Sequence, residues 1–218
     1  MGGTLREVTL CGQPVACQHI CMFTESEDEQ YRILNPFFQE GLAAGEEILT
    51  IVDAARRDRH ADCMREGGVP VDASIANGQM RILASEETYG RDGTFAAERM
   101  YALLEEVLTE ASRGARGWLR VSGDAGWILR TMQGGDELMA YEAKVNQLAP
   151  RHPCTLLCVY DINECSGQVI GDALATHSHV ILGGRLHENP HYVEPLEFLQ
   201  KVALRRKRSS PVKAHAVS

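Results

Sequence analysis

Residues 19–53 read HICMFTESEDEQYRILNPFFQEGLAAGEEILTIVD. The two ends of this stretch, His19–Phe23 and Glu47–Asp53, are short apolar runs of the kind that form buried strands in a parallel sheet. Between them, Ser26 and Glu29 have the spacing of a capping box, and apolar residues then recur on one helical face. A strand, a helix and a second strand in this order predict a right-handed crossover between two parallel strands.

The same alternation of apolar runs and amphipathic helical segments continues to residue 203. The further predicted strands are Met80–Ala84, Gly117–Ser122, Thr155–Tyr160 and His179–Leu182. The predicted helices after the first are Ala54–Glu66, Thr94–Ala111, Asp136–Leu148, Gln168–Ala175 and one that begins at Pro195. This pattern predicts an α/β fold of three layers, in which a mainly parallel sheet of about six or more strands is covered by helices on both faces.

The length of 218 residues and the hydrophobic fraction of 44% suit one α/β domain with a single core. We expect residues 1–17 to be an N-terminal extension, residues 18–203 to be the domain, and residues 204–218 to be a basic, disordered tail. The tail contains Arg205-Arg206-Lys207-Arg208, which we interpret as a solvated helix end whose cations are favoured by the helix dipole.

The formal net charge of −8 argues against nucleic acid as the main partner, because such affinity rests on clustered Lys and Arg. No apolar run is long enough to span a bilayer, and residues 1–13 lack the apolar core of a signal peptide. We therefore expect a cytoplasmic protein without a membrane partner. The seven cysteines are interpreted as reduced thiols, several of them within apolar runs.

Several stretches, taken in order along the chain, resemble one known family. They are His19-Ile-Cys-Met-Phe, Asn35-Pro-Phe-Phe-Gln-Glu-Gly-Leu-Ala-Ala-Gly-Glu-Glu, Arg120-Val-Ser-Gly-Asp-Ala-Gly-Trp, Tyr141-Glu-Ala, Cys158-Val-Tyr-Asp, Thr176-His and Asn189-Pro-His-Tyr. Together they resemble MEDS, the sensory domain of DcmR-like regulators from methanogens and methylotrophs, over residues 18–199. The resemblance implies a RecA/KaiC-like core that senses small molecules, with hydrocarbon or C1 derivatives as the ligand class.

The usual architecture of that family also implies an output module, either a transcription regulator or a kinase. Neither kind of domain is visible in this sequence, so we expect the signal to pass to a separate output protein. A homodimer is compatible with the same interpretation.

The loop after the first strand differs from the phosphate-binding loop of RecA/KaiC-like ATPases. That loop needs glycines whose backbone N–H groups face the phosphates, together with a lysine. Residues 24–29 read TESEDE, with four carboxylates and neither glycine nor lysine. We therefore expect neither tight binding nor hydrolysis of ATP.

Ligands of parallel α/β sheets bind beyond the carboxyl ends of the strands, and we expect the ligand site there. The expected ligand-binding residues are His19, Cys21, Asp124, Trp127, Tyr141, Glu142, Tyr160 and His177. Asp124 would be the polar anchor and the Trp127 indole an aromatic contact, while the family resemblance places Tyr141 in the pocket wall. The alternative interpretation makes Asp124 a helix cap, the aromatic residues and histidines structural, and Glu142 a surface carboxylate.

A second function class is a metal- or cofactor-binding protein. Cys17, His19 and Cys21 alternate, which places them on one face of the first strand. If the fifth strand is a neighbour, Cys158 would join them, and the set could bind zinc, haem iron or cobalamin cobalt. The competing interpretation is buried cysteines beside a hydrogen-bonded histidine, and the sequence identifies no particular cofactor.

A third function class is an enzyme that uses Asp124, Glu142 or a histidine as general base. Product formation from a candidate ligand would distinguish an enzyme from a sensor. The favoured function is ligand-gated signalling without catalysis, in which a small molecule and an output protein are the partners.

Overall fold

The computed structural model describes residues 6–84, 96–131 and 135–209, and a seven-stranded sheet forms its centre. The strands of the chain are β1 (Val8–Leu10), β2 (Gln13–Val15), β3 (His19–Thr24), β4 (Glu47–Val52), β5 (Met80–Ala84), β6 (Leu119–Asp124), β7 (Cys154–Asp161), β8 (His179–Leu182) and β9 (Arg185–Glu188). The sheet has the order β5-β4-β6-β7-β3-β8-β9, and neighbours are parallel except for β8 and β9. The six predicted strands are present and parallel to one another.

Helices connect the strands and pack on both faces of the sheet. They are α1 (Glu27–Ala43), α2 (Arg57–Glu66), α3 (Val71–Ala76), α4 (Ala97–Arg113), α5 (Gly126–Thr131), α6 (Gly135–Leu148), α7 (Gly167–Thr176) and α8 (Pro195–Ser209), with short 3₁₀ turns at Ala54–Arg56 and Ala149–Arg151. The third predicted helix was placed from Thr94, a residue outside the described ranges, and its described part begins at Ala97.

Two apolar core clusters lie on opposite faces of the sheet. Ile20 and Met22 of β3 pack in the cluster that includes α1, α2 and α3. Cys21 and Phe23 pack in the other cluster, which includes α4, α5, α6, α7 and α8. Alternate residues of a strand face opposite sides, so the sheet is the middle layer of three. This arrangement confirms the predicted α/β fold.

The cap predicted at the start of α1 is present, but its reciprocal hydrogen bond comes from the residue before the cap, Glu25, and not from Ser26. The Ser26 hydroxyl accepts a hydrogen bond from the Glu29 backbone N–H at 3.3 Å, and the Glu29 carboxylate accepts one from the Glu25 N–H at 2.9 Å. The backbone N–H groups of Glu25 and Glu29 are thus paired with the chain's own side chains.

Two regions differ from the sequence-based expectation for the ends of the domain. The strands β1 and β2 form a hairpin, and its Val8, Leu10 and Val15 are buried in the core cluster of α1. Residues expected to form an N-terminal extension are thereby part of the packed structure.

At the other end, α8 continues through residues 204–209, where the sequence predicts the start of a disordered tail. Arg205 forms ion pairs with Asp136 of α6 at 2.5 Å and with Asp172 of α7 at 2.8 Å. Arg206 pairs with Glu137 of α6 at 2.9 Å. These carboxylates on neighbouring helices hold the last turns of α8 against the domain.

Among the helices of the described ranges, none combines the length and the apolar character that a membrane span requires.

Candidate functional site

Four polar side chains meet between the sheet and α6. The strands β3 and β7 are parallel neighbours, with Cys21 opposite Cys158 in the register, and His19 is the first residue of β3. Helix α6 provides Glu142, and His177 lies between the end of α7 and the start of β8. We call His19, Glu142, Cys158 and His177 the histidine cluster.

Glu142 lies on the buried side of α6, where a carboxylate is unusual. Leu138, four residues before it, and Val145, three residues after it, are buried on the same helical face. Glu142 is 3% exposed, so it is not the surface carboxylate of the alternative interpretation. The helical spacing from the neighbouring apolar residues is the sequence signal that identifies it as buried.

Both carboxylate oxygens of Glu142 have hydrogen-bonding partners. Its Oε2 lies 3.1 Å from His19 Nε2 and accepts a hydrogen bond from the Cys158 thiol at 3.4 Å. Its Oε1 accepts a hydrogen bond from the Tyr160 hydroxyl at 2.9 Å. His19 Nε2 also lies 3.3 Å from the sulfur of Cys158. One carboxylate therefore links α6 to both β3 and β7.

Asn146, one turn after Glu142 on α6, fixes the protonation of His19. Its amide nitrogen donates to the backbone carbonyls of Thr176 at 2.6 Å and Glu142 at 3.3 Å. Its Oδ1 therefore faces His19 Nδ1, at 3.0 Å. Because an amide oxygen can only accept, His19 Nδ1 carries a proton.

His177 is fully buried, and one of its ring nitrogens lacks a hydrogen-bond partner. Its Nδ1 lies 2.8 Å from the carbonyl oxygen of Ala173, so Nδ1 carries the proton. The unprotonated Nε2 points into the histidine cluster, 3.7 Å from the Oε2 of Glu142. The rings of His19 and His177 lie 4.1 Å apart, measured between their centroids.

Burial and neighbouring charges shift the ionisable groups of the cluster in different directions. Burial opposes ionisation of Glu142, but the hydrogen bond from His19, the positive imidazole charge and the Tyr160 hydroxyl outweigh it and lower the Glu142 pKa. Burial and the charge of His19 lower the pKa of His177 to about 3. Burial and the Glu142 charge raise the pKa of the Cys158 thiol well above its ordinary value. Near neutral pH, His177 is uncharged and Cys158 is a thiol.

A cavity of about 40 Å³ adjoins the histidine cluster. Its walls are mostly apolar side chains of the sheet, α4, α5 and α6, while Glu142 and Cys158 form a polar part of the wall. Asp124 and Tyr141 also line the cavity. The Asp124 carboxylate accepts a hydrogen bond from the Gly126 backbone N–H at 2.8 Å, so it also caps the start of α5. The cavity and the cluster thus share two polar residues.

The predicted ligand-binding residues fall into groups in the structure. Those that lie together at the cluster are His19, Glu142, Tyr160 and His177. Asp124 and Tyr141 line the neighbouring cavity. Cys21 lies fully buried opposite Cys158 in the sheet register. The side chain of Trp127 lies outside the described residues. Asn146 is a further residue of the site, and nothing in the sequence distinguishes it from other polar helix residues.

The cluster lies over the face of the sheet, whereas the sequence predicts a ligand site beyond the carboxyl ends of the strands. His19 is the first residue of β3, and His177 precedes β8, so both lie at amino ends of strands. Asp124 is the last residue of β6 and meets the expected position. The difference arises because α6 covers this part of the sheet and projects Glu142 onto it.

Of the residues considered for a metal site, His19 and Cys158 belong to the cluster. Cys17 lies apart, with its sulfur 3.5 Å from the Ser178 hydroxyl and 3.4 Å from the carbonyl oxygen of His19. The four members of the histidine cluster can each offer one ligand atom, and these atoms lie within 4.8 Å of one another. The adjoining cavity, as the described residues line it, measures about 40 Å³ and would not hold haem or cobalamin, because pockets for drug-sized ligands already measure roughly 300–1,000 Å³.

Comparison with known proteins shows the family of this chain. The family described as MEthanogen/methylotroph, DcmR Sensory domain (MEDS) matches residues 18–178, a range that contains the whole histidine cluster. The chain is also 28% identical over 160 residues to the transcriptional repressor DcmR of Methylorubrum extorquens (strain DSM 6343 / CIP 106787 / DM4). That alignment covers 73% of this chain and 57% of the repressor, so the chain spans little more than half the length of this relative. Since the family match extends over most of the chain, the protein belongs to the MEDS family of sensory domains.

Proposed function

We propose that this sensory domain binds a small, largely apolar molecule in the cavity beside the histidine cluster and signals to an output protein. The observation that supports the proposal is the composition of the cavity wall, in which Glu142 and Cys158 interrupt an otherwise mostly apolar surface. Small-molecule sites usually combine apolar walls with a few polar groups that orient the ligand. Membership of the MEDS family gives the chain a sensory and regulatory role.

The volume of the cavity limits the size of the ligand. A single water molecule needs about 10–15 Å³ of such space, so a cavity of about 40 Å³ suits a molecule of about three heavy atoms. We infer a hydrocarbon derivative with one or two carbon atoms. Its polar or halogen substituent would face Glu142 and Cys158, and its carbon atoms would face apolar residues such as Leu104 and Val121.

Signal transmission would begin at Glu142, because this residue contacts both the cavity and the histidine cluster. A ligand that displaces its carboxylate changes the hydrogen bonds that join α6 to β3 and β7. We propose that a cytoplasmic regulator of transcription receives the signal. This regulator is either a separate output protein or a homodimer that this chain forms. The name of the related repressor supports a transcriptional output.

Binding without turnover is the function that we favour over catalysis. A general base works best with a pKa near the operating pH, whereas the pKa of Glu142 is lowered and both of its oxygens are hydrogen-bonded. The Asp124 carboxylate is used in part as a helix cap. We therefore expect no product to form from a bound C1 or C2 compound.

Filling the cavity from its wall tests the binding site. Gly123 of β6 lines the cavity, and a Cβ added there would meet no heavy atom within 4 Å. We expect Gly123→Val to occupy the cavity and to weaken binding of halogenated methanes and C1 or C2 alcohols by at least about tenfold, which is about 1.4 kcal/mol. Binding would be measured by ligand-observed NMR with the purified full chain.

Gly167→Val is the matched control, because a Cβ at Gly167 also meets open space and the residue lies exposed at the start of α7. Thermal unfolding of both variants would show that each remains folded. Binding that is equal in Gly123→Val and Gly167→Val, or no binding of any of these compounds to the parent chain, would contradict the proposed ligand site. Product formation from any of them would contradict the proposed absence of turnover.

A further inference from the structure

We propose that the histidine cluster binds one divalent transition-metal ion, with His19 Nε2, His177 Nε2, a Glu142 oxygen and the Cys158 sulfur as its four ligands. This inference goes beyond the sensory function proposed above and does not depend on it. The metal proposal concerns the ligand atoms of the histidine cluster, whereas the sensory proposal concerns the cavity beside it. The ligand atoms face one another across a small space, not across the apolar cavity.

Four of the six separations between the ligand atoms lie near the edge length of a tetrahedral site, and all six are within 4.8 Å. Zinc bonds of about 2.0–2.3 Å place tetrahedral ligands about 3.3–3.8 Å apart. The Oε2 of Glu142 lies 3.1 Å from His19 Nε2, 3.4 Å from the sulfur of Cys158 and 3.7 Å from His177 Nε2. His19 Nε2 lies 3.3 Å from the same sulfur. An ion at the centre would need only small adjustments of these side chains.

Outer hydrogen bonds already orient the two imidazoles for a metal. The Nδ1 of His19 donates to the Asn146 side-chain oxygen, and the Nδ1 of His177 donates to the carbonyl oxygen of Ala173. Both rings therefore direct Nε2 toward the centre of the cluster. Metal-bound histidines typically donate their other nitrogen to a carbonyl or carboxylate in this way. The Tyr160 hydroxyl likewise binds one oxygen of Glu142 and leaves the other directed inward.

The unpartnered Nε2 of His177 is the observation that points most directly to a ligand. A buried polar atom without a partner is costly, and in native structures such atoms usually have an explanation. Here an unprotonated nitrogen faces the carboxylate oxygen of Glu142 at 3.7 Å, and two acceptors do not attract each other. A cation between them satisfies both atoms.

The charges also balance when an ion binds. The ion displaces the proton of the Cys158 thiol, and the Glu142 carboxylate is already ionised. A divalent ion with one carboxylate, one thiolate and two neutral imidazoles carries no net charge, which suits a buried site. The mixture of nitrogen, sulfur and one oxygen favours Zn²⁺ or a similar transition ion, whereas Mg²⁺ and Ca²⁺ prefer sites made of oxygen.

Cobalt provides the direct test, because its absorption spectrum reports both geometry and ligands. The purified full chain is stripped with a chelator, dialysed and titrated with Co²⁺. We expect one ion per chain, the visible bands of tetrahedral cobalt, a near-ultraviolet thiolate-to-cobalt charge-transfer band, and displacement of cobalt by Zn²⁺. Binding should also release the proton of the Cys158 thiol, because the ligand is a thiolate. A spectrum without the thiolate band, or no stoichiometric binding by the folded parent chain, would overturn the proposal.

Two pairs of variants identify the ligands. Cys158→Ser should abolish the thiolate band, whereas Cys154→Ser, on the same strand but outside the cluster, should retain it. His177→Gln should weaken Zn²⁺ binding by at least about 100-fold, more than the loss of an outer-shell partner usually does. His60→Gln should not, because both nitrogens of the buried His60 are hydrogen-bonded, to the Tyr31 hydroxyl and to Thr50.

Circular dichroism of each metal-free variant would establish that it is folded. If one variant does not fold, the cobalt spectrum of the parent chain still tests the proposal. Equal effects of Cys158→Ser and Cys154→Ser on the thiolate band would overturn the proposal. Co²⁺ binding and binding of the small molecules are separate measurements on the parent chain. A failure of the small-molecule proposal can therefore be distinguished from a failure of the metal proposal.

Discussion

The sheet has a buried group of ionisable side chains on each face, and the two groups are built differently. On the side of α1, Arg120 of β6 binds Glu46 at 2.5 Å and Glu40 at 2.7 Å, and Arg6 binds the other oxygen of Glu46 at 2.8 Å. We call these four residues the arginine network. On the opposite face lies the histidine cluster, with its exchangeable protons and one unpartnered nitrogen.

The difference shows how a buried polar group can serve the fold or a ligand. Arginine does not lose its proton in proteins, so the arginine network has a single charge state at the guanidinium. The surrounding structure is shaped to hold it. A Cβ at Gly41 of α1 would lie 2.7 Å from Arg120 Nε, and the guanidinium carbon lies 4.9 Å from the ring centre of Phe37. The histidine cluster has no such fixed cation, and its donors and acceptors can be redistributed.

The largest expected effect comes from removing the cation of the arginine network. Arg120→Met leaves Glu46, which is fully buried, without its nearest partner. We expect the free energy of unfolding to fall by about 3–5 kcal/mol, because the buried carboxylate then keeps only the half-exposed Arg6 as its charged partner. Urea denaturation would measure the change, with the exposed Arg113→Met as control, expected within about 0.5 kcal/mol of the parent chain. Adding Glu46→Leu to Arg120→Met should recover much of the loss.

A cost below about 1 kcal/mol for Arg120→Met would mean that the arginine network does little for the fold. The comparison between the two faces of the sheet would then lose its basis.

The second effect is a loss of stability in acid that originates in the histidine cluster. An unfolded histidine binds a proton near pH 6.5, whereas His177 in the fold resists protonation down to about pH 3 because it is buried. The unfolded state therefore gains protons first as the pH falls, and stability decreases between these values by up to a few kcal/mol. Glu142 acts in the same direction, since its pKa is lowered and its stabilising contribution is lost as the pH falls through that pKa.

Urea denaturation of the metal-free chain between pH 7 and pH 3 measures this loss. His177→Gln should make stability less dependent on pH across the window. His60→Gln should make stability less dependent on pH only above about pH 4, because burial lowers the pKa of His60 to about 4. An unchanged pH dependence in His177→Gln would show that His177 is not held neutral in the fold.

The smallest effect is expected from Asn146, which orients the histidine cluster from outside. Asn146→Ala leaves His19 Nδ1 and the carbonyl of Thr176 without their partner, at a cost of about 1–2 kcal/mol in urea denaturation. It should also weaken Zn²⁺ binding by about 10–100-fold in a chelator competition. Asn163→Ala removes an exposed side chain that donates to the carbonyl of Glu25 and is the control. Equal effects of the two changes would show that Asn146 has no special role.

The strands with a buried apolar run can be predicted from sequence, and the exposed or very short ones cannot. In the strands from β3 to β7 most side chains are buried, and the four-residue β8 has a buried apolar centre, Val180-Ile181; burial on both faces requires the apolar runs that the sequence displays. β9 has four residues, mostly exposed, and β1 and β2 have three each, too few for a period to be recognised. Helices α3 and α5 have six residues each and fail for the same reason.

Sequence can suggest the individual residues of the histidine cluster, but it does not predict that they lie together in the fold. His19, Glu142 and His177 are identified by residue type and by the resemblance to MEDS domains. Their convergence depends on β7 and β8 lying on either side of β3, and no local pattern reveals the order of strands. The role of Asn146 depends on the carbonyl of Thr176, thirty residues away in sequence.

The ion pairs of α8 have a mechanical consequence. Helix α6 is a rigid rod with Glu142 near its middle, and six residues earlier Asp136 holds Arg205 at the far end of α8. Six helical residues span about 9 Å, so a rotation of α6 by about 10° with Glu142 as fulcrum would move Asp136 by about 1.6 Å. An ion pair of 2.5 Å must then either break or pull α8 along. Helix α6 is in this sense a lever that couples the cavity beside Glu142 to the end of α8.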